Sequence, residues 1–138
     1  MVILLVGAHY TYAKVPLFDD LKDYFHFSRN HYDRLGHFAQ GFVPAIIGRE
    51  LLLRTSTIGR GKWLVAVIIL GCLGISAAYE LLEWGTAVWK GEGADAFLGT
   101  QGDPWDTQED MLSALIGAVA ALALMSGIHD RALRKLSK

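Results

Sequence analysis

The sequence predicts an all-α membrane protein: a polytopic bundle with three full transmembrane spans and a short hydrophobic helix before them. Of the 138 residues, 52% are hydrophobic and 20% are charged. The apolar residues gather in long runs with the charges between them. A mean hydropathy of +0.29 is high for a water-soluble domain of this size. Because no repeat or polar linker divides the chain, we expect one integral membrane domain over residues 1–138.

The opening segment is apolar but short. Its first 13 residues are fewer than the roughly 17 to 25 that a helix needs to cross a bilayer. They also lack the basic start of a signal peptide. We therefore expect the end of a helix here.

Two further runs are long enough to cross but contain polar residues. Residues 35–53 form a stretch of 19 that includes His37, Gln40 and Pro44. Residues 63–89 are uncharged through Ala78, and two acids follow within the same run, Glu80 and Glu83. Each run predicts a span whose polar residues need a separate explanation.

The last run gives the clearest span. Residues 111–128 include 18 positions without an ionisable group, which meets the length needed for a hydrocarbon core of about 30 Å. Small residues at four-residue spacing would let the helices approach closely. They are Gly41 and Ala45, Gly74 and Ala78, and Ser113, Gly117 and Ala121.

The flanking charges predict the orientation, because Lys and Arg are retained on the cytoplasmic side. The loop 54–62 contains three basic residues and no acid, and the C-terminal tail is also basic. Both should be cytoplasmic in a multi-pass membrane protein. The acidic segment 90–110 and the segment 14–34 should then lie outside.

Composition excludes several other classes. One cysteine, Cys72, cannot form a disulfide within the chain, and its apolar neighbours indicate core packing. A net charge of -1 without a basic stripe argues against a nucleic-acid partner. The expected partner is the lipid bilayer, with a lipid or head group as a further ligand.

This topology brings the unusual polar residues to one membrane face. Asp33 and His37 differ by four, as do Asp106 and Asp110, so each pair shares a helix face. An ionisable group at membrane depth is a functional-site hypothesis by default. As catalytic candidates we take His37, Glu80, Glu83 and Asp106; as ligand-binding candidates we take His31, Asp33, Gln40, Asp103 and Asp110.

Carboxylates with imidazoles can hold a divalent cation or act as general acid and base. The spacing matches no established metal motif, so a divalent cation is one option and the cofactor stays open. Structural alternatives also stay open. Asp103 and Asp106 can cap the last helix, Asn30 with Asp33 can cap an earlier one, and Asp33 can pair with His37 or Arg34.

Four segments resemble a known family: HYTYAKVPL, NHYDRLGHFAQGFVPAIIGRE, AAYELLEW and GADAFLGTQGDPWDTQEDM. They are similar to the YjdF-type bacterial inner-membrane proteins, whose reaction is not established. The acidic approach to the last helix has a more distant similarity to VanZ-like membrane proteins. The resemblance implies a multi-helix inner-membrane protein, with further hydrophobic segments before the point where this chain begins.

The favoured interpretation is an outward-facing acidic and histidine-containing pocket that binds a cation or a polar lipid head group. Whether the pocket also acts on that ligand, as an enzyme would, is left open. The alternative is a non-catalytic membrane module in which the same residues are structural or contact a partner. Convergence of these side chains within about 5 Å would favour the first interpretation, because more distant charges cannot share an ion.

Overall fold

The computed structural model describes residues 2–90 and 101–136, and over those residues it contains five helices and no strand. The acidic segment expected outside therefore lies partly beyond the described residues. The helices are α1 (Val2–His9), α2 (Pro16–Phe25), α3 (Tyr32–Thr55), α4 (Lys62–Lys90) and α5 (Asp106–Leu136). The all-α prediction is confirmed, and α2 is a helix that the hydropathy pattern did not predict.

Two helices are long and apolar enough to cross a membrane, residues 62–89 of α4 and 106–135 of α5. In their most apolar windows only 22% and 28% of the residues are buried, so most of these surfaces are free to face lipid. Helix α3 has 24 residues and is long enough, but it contains more polar positions.

Local sequence explains where α2 and α3 begin and end. Pro16 starts α2, where its missing N–H costs no helical hydrogen bond. His26 ends α2 in the left-handed conformation at φ 56°, and its N–H bonds to backbone carbonyls of the last turn. Asn30 precedes α3 and accepts a hydrogen bond of 3.0 Å from the backbone N–H of Tyr32. The N-cap position itself is His31, which makes no side-chain cap bond, so the predicted N-cap at Asn30 is displaced by one residue although Asn30 still accepts from the first helical N–H.

Helices α3 and α5 form the most extensive pair, with α4 packed against both and α1 against α3. Gly41 lies against the backbone of Ala114, and Gly117 lies against the backbone of Phe38. Small residues therefore bring these two backbones together, as predicted. The prediction is wrong for α4, where a Cβ on Gly74 would meet no atom within 4 Å.

The apolar core occupies the half of the bundle nearest the α3–α4 loop. Cys72 is 2% exposed there and directs its thiol towards the carbonyl of Gly41 at 3.5 Å, which confirms its packing role. The other buried members of this core are Ala45, Leu64, Ile68, Ala118, Ala121 and Leu122. The opposite half of the bundle, where α3 and α5 begin, contains the buried polar residues other than Arg49.

Candidate functional site

Three side chains from two helices meet in the polar half of the bundle. Asp33 and His37 lie one turn apart at the start of α3, and Asp110 lies in the second turn of α5. Their potential ligand atoms all lie within 4.8 Å of one another. The exposed fractions are 4%, 2% and 2%. We call Asp33, His37 and Asp110 the buried triad.

Glu80 of α4 extends this group. Its Oε1 lies 3.3 Å from Nε2 of His37, whereas Oδ1 of Asp33 lies 3.8 Å from the same nitrogen. The other ring nitrogen, Nδ1, is 3.4 Å from Oγ of Ser76. Helices α3, α4 and α5 therefore each place at least one polar side chain around the imidazole of His37.

Two carboxylate oxygens in this group lack a hydrogen-bond donor. Within the described part of the chain, Oδ1 of Asp110 receives no hydrogen bond, and Oε1 of Glu80 receives none either, because the geometry of its 3.3 Å contact with Nε2 of His37 is not that of a hydrogen bond. Such buried acceptors are rare in native proteins because desolvation is then uncompensated. The arrangement therefore favours a positively charged occupant.

A cavity of about 300 Å³ adjoins the triad. Asp33 and His37 line it together with Gln40, and Tyr12 and Tyr79 also contribute to its wall. A second cavity of about 350 Å³ shares the two tyrosines and is lined by Glu83. Gln40 and Glu83 thus border the cavities next to the triad, and neither belongs to the triad itself.

Asp103 and Asp106 do not join the triad, because each forms an ion pair with the buried Arg29. Nη1 of Arg29 contacts Asp106 and lies 3.2 Å from Oδ2 of Asp103. The same oxygen of Asp103 lies 3.0 Å from Nη2 of Arg34. Arg34 also pairs with Glu109. We call Arg29, Arg34, Asp103, Asp106 and Glu109 the arginine clasp.

The sequence allows two partners for Asp33, namely His37 and Arg34. Of these, His37 is the one in contact.

One clasp residue, Asp103, also bonds the backbone at the start of α5. Oδ1 of Asp103 accepts a hydrogen bond of 2.9 Å from the backbone N–H of Trp105, just before α5 begins. This bond, with the neighbouring Arg29 and Arg34, holds the pKa of Asp103 below its usual value. Asp106 instead neutralises Arg29, which is 3% exposed. Local sequence could not reveal this partner, 77 residues away.

His31 stands apart from the triad. It lies at the N-cap of α3, and its ring packs edge-on against Phe27 with centroids 5.1 Å apart. Burial lowers the pKa of His31, as do the charges of Arg34 and Arg29. His31 is therefore neutral near pH 7 and borders the clasp.

Sequence reasoning missed Ser76 and Tyr79 as neighbours of His37. Tyr79 packs edge-on to the imidazole with centroids 5.7 Å apart, and Ser76 is fully buried. Their spacing from Glu80 and Glu83 would place all four on one side of α4. Helical spacing could not have placed Tyr12 at the site, because Tyr12 lies in a turn with φ 55°.

A separate ionic cluster lies in the other half of the bundle. Arg49 is 5% exposed and bonds to Asp130 at 2.8 Å and to His129 at 2.9 Å. Glu50 lies 2.9 Å from Arg54 and 3.4 Å from His129. Arg49 and Glu50 therefore pair with Asp130 and His129 of α5, at the end of the bundle away from the candidate site.

Comparison with known proteins identifies the family. Residues 1–131 match the family described as "Predicted membrane protein (DUF2238)". The chain belongs to this DUF2238 family. The Inner membrane protein YjdF of Escherichia coli (strain K12) is 50% identical over 135 residues, which cover 97% of this chain and 64% of that protein. No solved structure matches the chain.

This family membership confirms the resemblance inferred from the four sequence segments. The chain is a bacterial inner-membrane protein and resides in a lipid bilayer. It spans somewhat less than two thirds of its YjdF relative's length.

Proposed function

We propose that the protein holds a divalent cation within the membrane, bound by the buried triad Asp33, His37 and Asp110. Two ligands of one ion can be at most about 4.4 Å apart around Zn²⁺ and about 5 Å apart around Ca²⁺, so the triad needs to close by no more than a few tenths of an ångström around the smaller ion. The limit of 4.8 Å among the triad's ligand atoms fits this requirement. Two carboxylates and one imidazole suit ions such as Mn²⁺ and Zn²⁺.

The observation that carries the proposal is the pair of carboxylate oxygens without donors, on Asp110 and Glu80. Uncompensated carboxylates at membrane depth are costly and usually mark an ion or proton pathway. A divalent cation would neutralise the two triad carboxylates and give Asp110 the partner it lacks. Glu80 lies beside His37 but outside the group whose ligand atoms are all within 4.8 Å, so it would neighbour the ion without being one of its ligands.

The contacts of His37 support one orientation of the imidazole. We assign the ring proton to Nδ1, where it can be donated to Oγ of Ser76 at 3.4 Å. Nε2 then offers its lone pair towards Asp33 and Glu80. Histidines that bind metals commonly donate their other N–H to a fixed acceptor, which sets the ring.

The proposal narrows the broader set of candidates. Asp103 and Asp106 are structural members of the arginine clasp, and His31 borders it. Gln40 and Glu83 are cavity residues that a bound head group would meet. If the ion activates an oxygen of that ligand, Glu80, in contact with His37, could accept a proton, and Glu83 would offer a second carboxylate in the neighbouring cavity.

The membrane arrangement completes the proposal. Helices α3, α4 and α5 each cross the bilayer, and α1 contributes a short apolar segment beside α3. The basic loop 54–62 and the C-terminus lie in the cytoplasm, so the triad is near the outer face. A reporter active only outside the cytoplasm should work when fused after Lys90 and fail after Arg60; the reverse pattern would contradict this orientation.

The cation proposal is tested by titrating the purified full chain in detergent with Mn²⁺ and measuring free ion by electron paramagnetic resonance. We expect one ion per chain. Asp110→Asn keeps the shape and removes the charge, so it should abolish binding. Asp130→Asn, in the ionic cluster at the other end, is the matched control and should bind normally. Absence of binding in the unmodified chain, or equal binding by Asp110→Asn, would overturn the proposal.

A further inference from the structure

The 300 Å³ cavity continues from the triad along one side of α3. Its apolar wall is formed by Gly36, Ala39, Val43 and Pro44, with Ile3 of α1 opposite. Gly36, Ala39 and Val43 are spaced by three and four, so they follow a single helix face, and Pro44 lies at its edge. We call this surface the α3 groove.

The groove is polar at one end. Asp33 and His37, two of the three triad ligands, line the cavity at its start. An ion bound by the triad therefore has a side that faces the groove. Beyond His37 the α3 lining is apolar apart from Gln40. The groove therefore has an ionic end and an apolar end that could hold a hydrocarbon chain.

The length of the groove matches one bilayer leaflet. From Asp33 to Pro44 an α-helix rises about 16 Å, at 1.5 Å per residue. Half of a hydrocarbon core is about 15 Å. A lipid chain lying along α3 from the triad would thus end near the middle of the membrane.

The groove is also open sideways. Val43 is 52% exposed although it lines the cavity, so a lipid could enter directly from the bilayer in which the chain resides. The volume of about 300 Å³ lies at the lower end of the range for small-molecule pockets. That size suits part of one lipid molecule, namely a single chain.

The open side of the ion indicates which head group fits. A divalent cation with two carboxylates and a neutral imidazole has no net charge left, and it accepts a further oxygen ligand on its open side. We infer that the α3 groove binds one phospholipid of the adjacent leaflet, with a phosphate oxygen on the ion and one acyl chain along Gly36, Ala39 and Val43. This inference rests on the proposed cation site.

The experiment compares three phosphate compounds on the full chain loaded with Mn²⁺ in detergent: inorganic phosphate, glycerol phosphate and a short-chain phosphatidylglycerol. Broadening of each ³¹P signal by the bound Mn²⁺ reports how near the phosphate comes. We expect the phosphatidylglycerol to bind roughly tenfold or more tightly than glycerol phosphate, because only its chain can occupy the groove.

A filling variant and a matched control separate the groove from the ion. Ala39→Phe should reduce phosphatidylglycerol binding to the level of glycerol phosphate while leaving the Mn²⁺ affinity unchanged. Ile47→Phe lies on the same helix, is 62% exposed and is outside the cavity lining. It should change neither measurement.

The outcomes distinguish the two proposals. If the unmodified chain binds no Mn²⁺, both the cation site and the lipid inference fail. If Mn²⁺ binds but phosphatidylglycerol binds no more tightly than glycerol phosphate, only the lipid inference fails. The same holds if phosphatidylglycerol binds equally well to the chain without Mn²⁺. Unchanged lipid binding by Ala39→Phe would likewise overturn it. Tight binding of inorganic phosphate alone would show a phosphate ligand without a lipid and would also overturn it.

Discussion

The side-chain amide of Gln101 pairs with both backbone groups of Asn30. The N–H of Asn30 donates to Oε1 at 2.9 Å, and Nε2 donates to the Asn30 carbonyl at 3.0 Å. Asn30 in turn donates to the carbonyl of Val15 and to Asp19. One amide therefore connects the segment before α5 to the start of α3, and through Asn30 to α2.

We predict that Gln101→Glu destabilises the fold by about 1–3 kcal/mol, because the Nε2 donor is replaced by an oxygen facing a carbonyl. Chemical unfolding of the full chain in detergent would measure the change. Gln108→Glu is the matched control, since Gln108 is exposed in α5, and it should alter the free energy of unfolding by no more than about 0.5 kcal/mol. Similar effects of the two variants would argue against the amide pair.

The buried pair of Arg29 and Asp106 should show strong coupling. Arg29→Met leaves the Asp106 carboxylate, 6% exposed, without its main counter-charge, and should cost about 3–5 kcal/mol. Adding Asp106→Asn should restore part of that loss, giving a coupling of about 0.5–3 kcal/mol in a double-mutant cycle of unfolding. Losses that sum to within about 0.5 kcal/mol would mean that the two residues act independently.

The contact between α3 and α5 depends on glycine. Gly117→Ala would place a Cβ against the Phe38 backbone, which cannot move without displacing α3, so we expect about 1–3 kcal/mol of destabilisation. Gly74→Ala in α4 meets no atom within 4 Å. It should be neutral or stabilising by up to about 1 kcal/mol through helix propensity. Thermal unfolding of both variants checks the contrast, and a tolerated Gly117→Ala would contradict the packing.

Asp103 should contribute to acid sensitivity. Its pKa in the folded protein is lowered by the Trp105 N–H and the two clasp arginines. The stabilisation it provides is therefore fully present above the pKa of the unfolded chain and is lost as the pH falls through the lowered folded value. The difference in melting temperature between the unmodified chain and Asp103→Asn should shrink from pH 6 to pH 3. A constant difference would mean that the Asp103 charge adds nothing.

Much of the fold could be predicted because apolar runs define helices in a membrane protein. The run 63–89 corresponds to α4 at Lys62–Lys90, within one residue at each end. The run 111–128 underestimates α5, which extends to Asp106 and Leu136. Charged residues at both ends of α5 are accommodated by ion pairs such as Asp106 with Arg29, and hydropathy cannot register such pairs.

The site was only partly predictable for a related reason. Helical spacing correctly placed Asp33 next to His37, because neighbours on one helix face follow from local periodicity. The same spacing grouped Asp106 with Asp110, yet only Asp110 joins the triad, since Asp106 turns to an arginine distant in sequence. Which acid met which partner depended on helix packing that one-dimensional patterns do not encode.

The most direct test of the central claim is whether His37 binds the metal. Pulsed electron paramagnetic resonance of the Mn²⁺-loaded chain detects coupling to a nitrogen nucleus bound to the ion. We predict one imidazole coupling, lost in His37→Gln and retained in His129→Gln, whose histidine lies in the ionic cluster at the other end. A bound ion with no nitrogen coupling, or a coupling that survives His37→Gln, would contradict the proposed site.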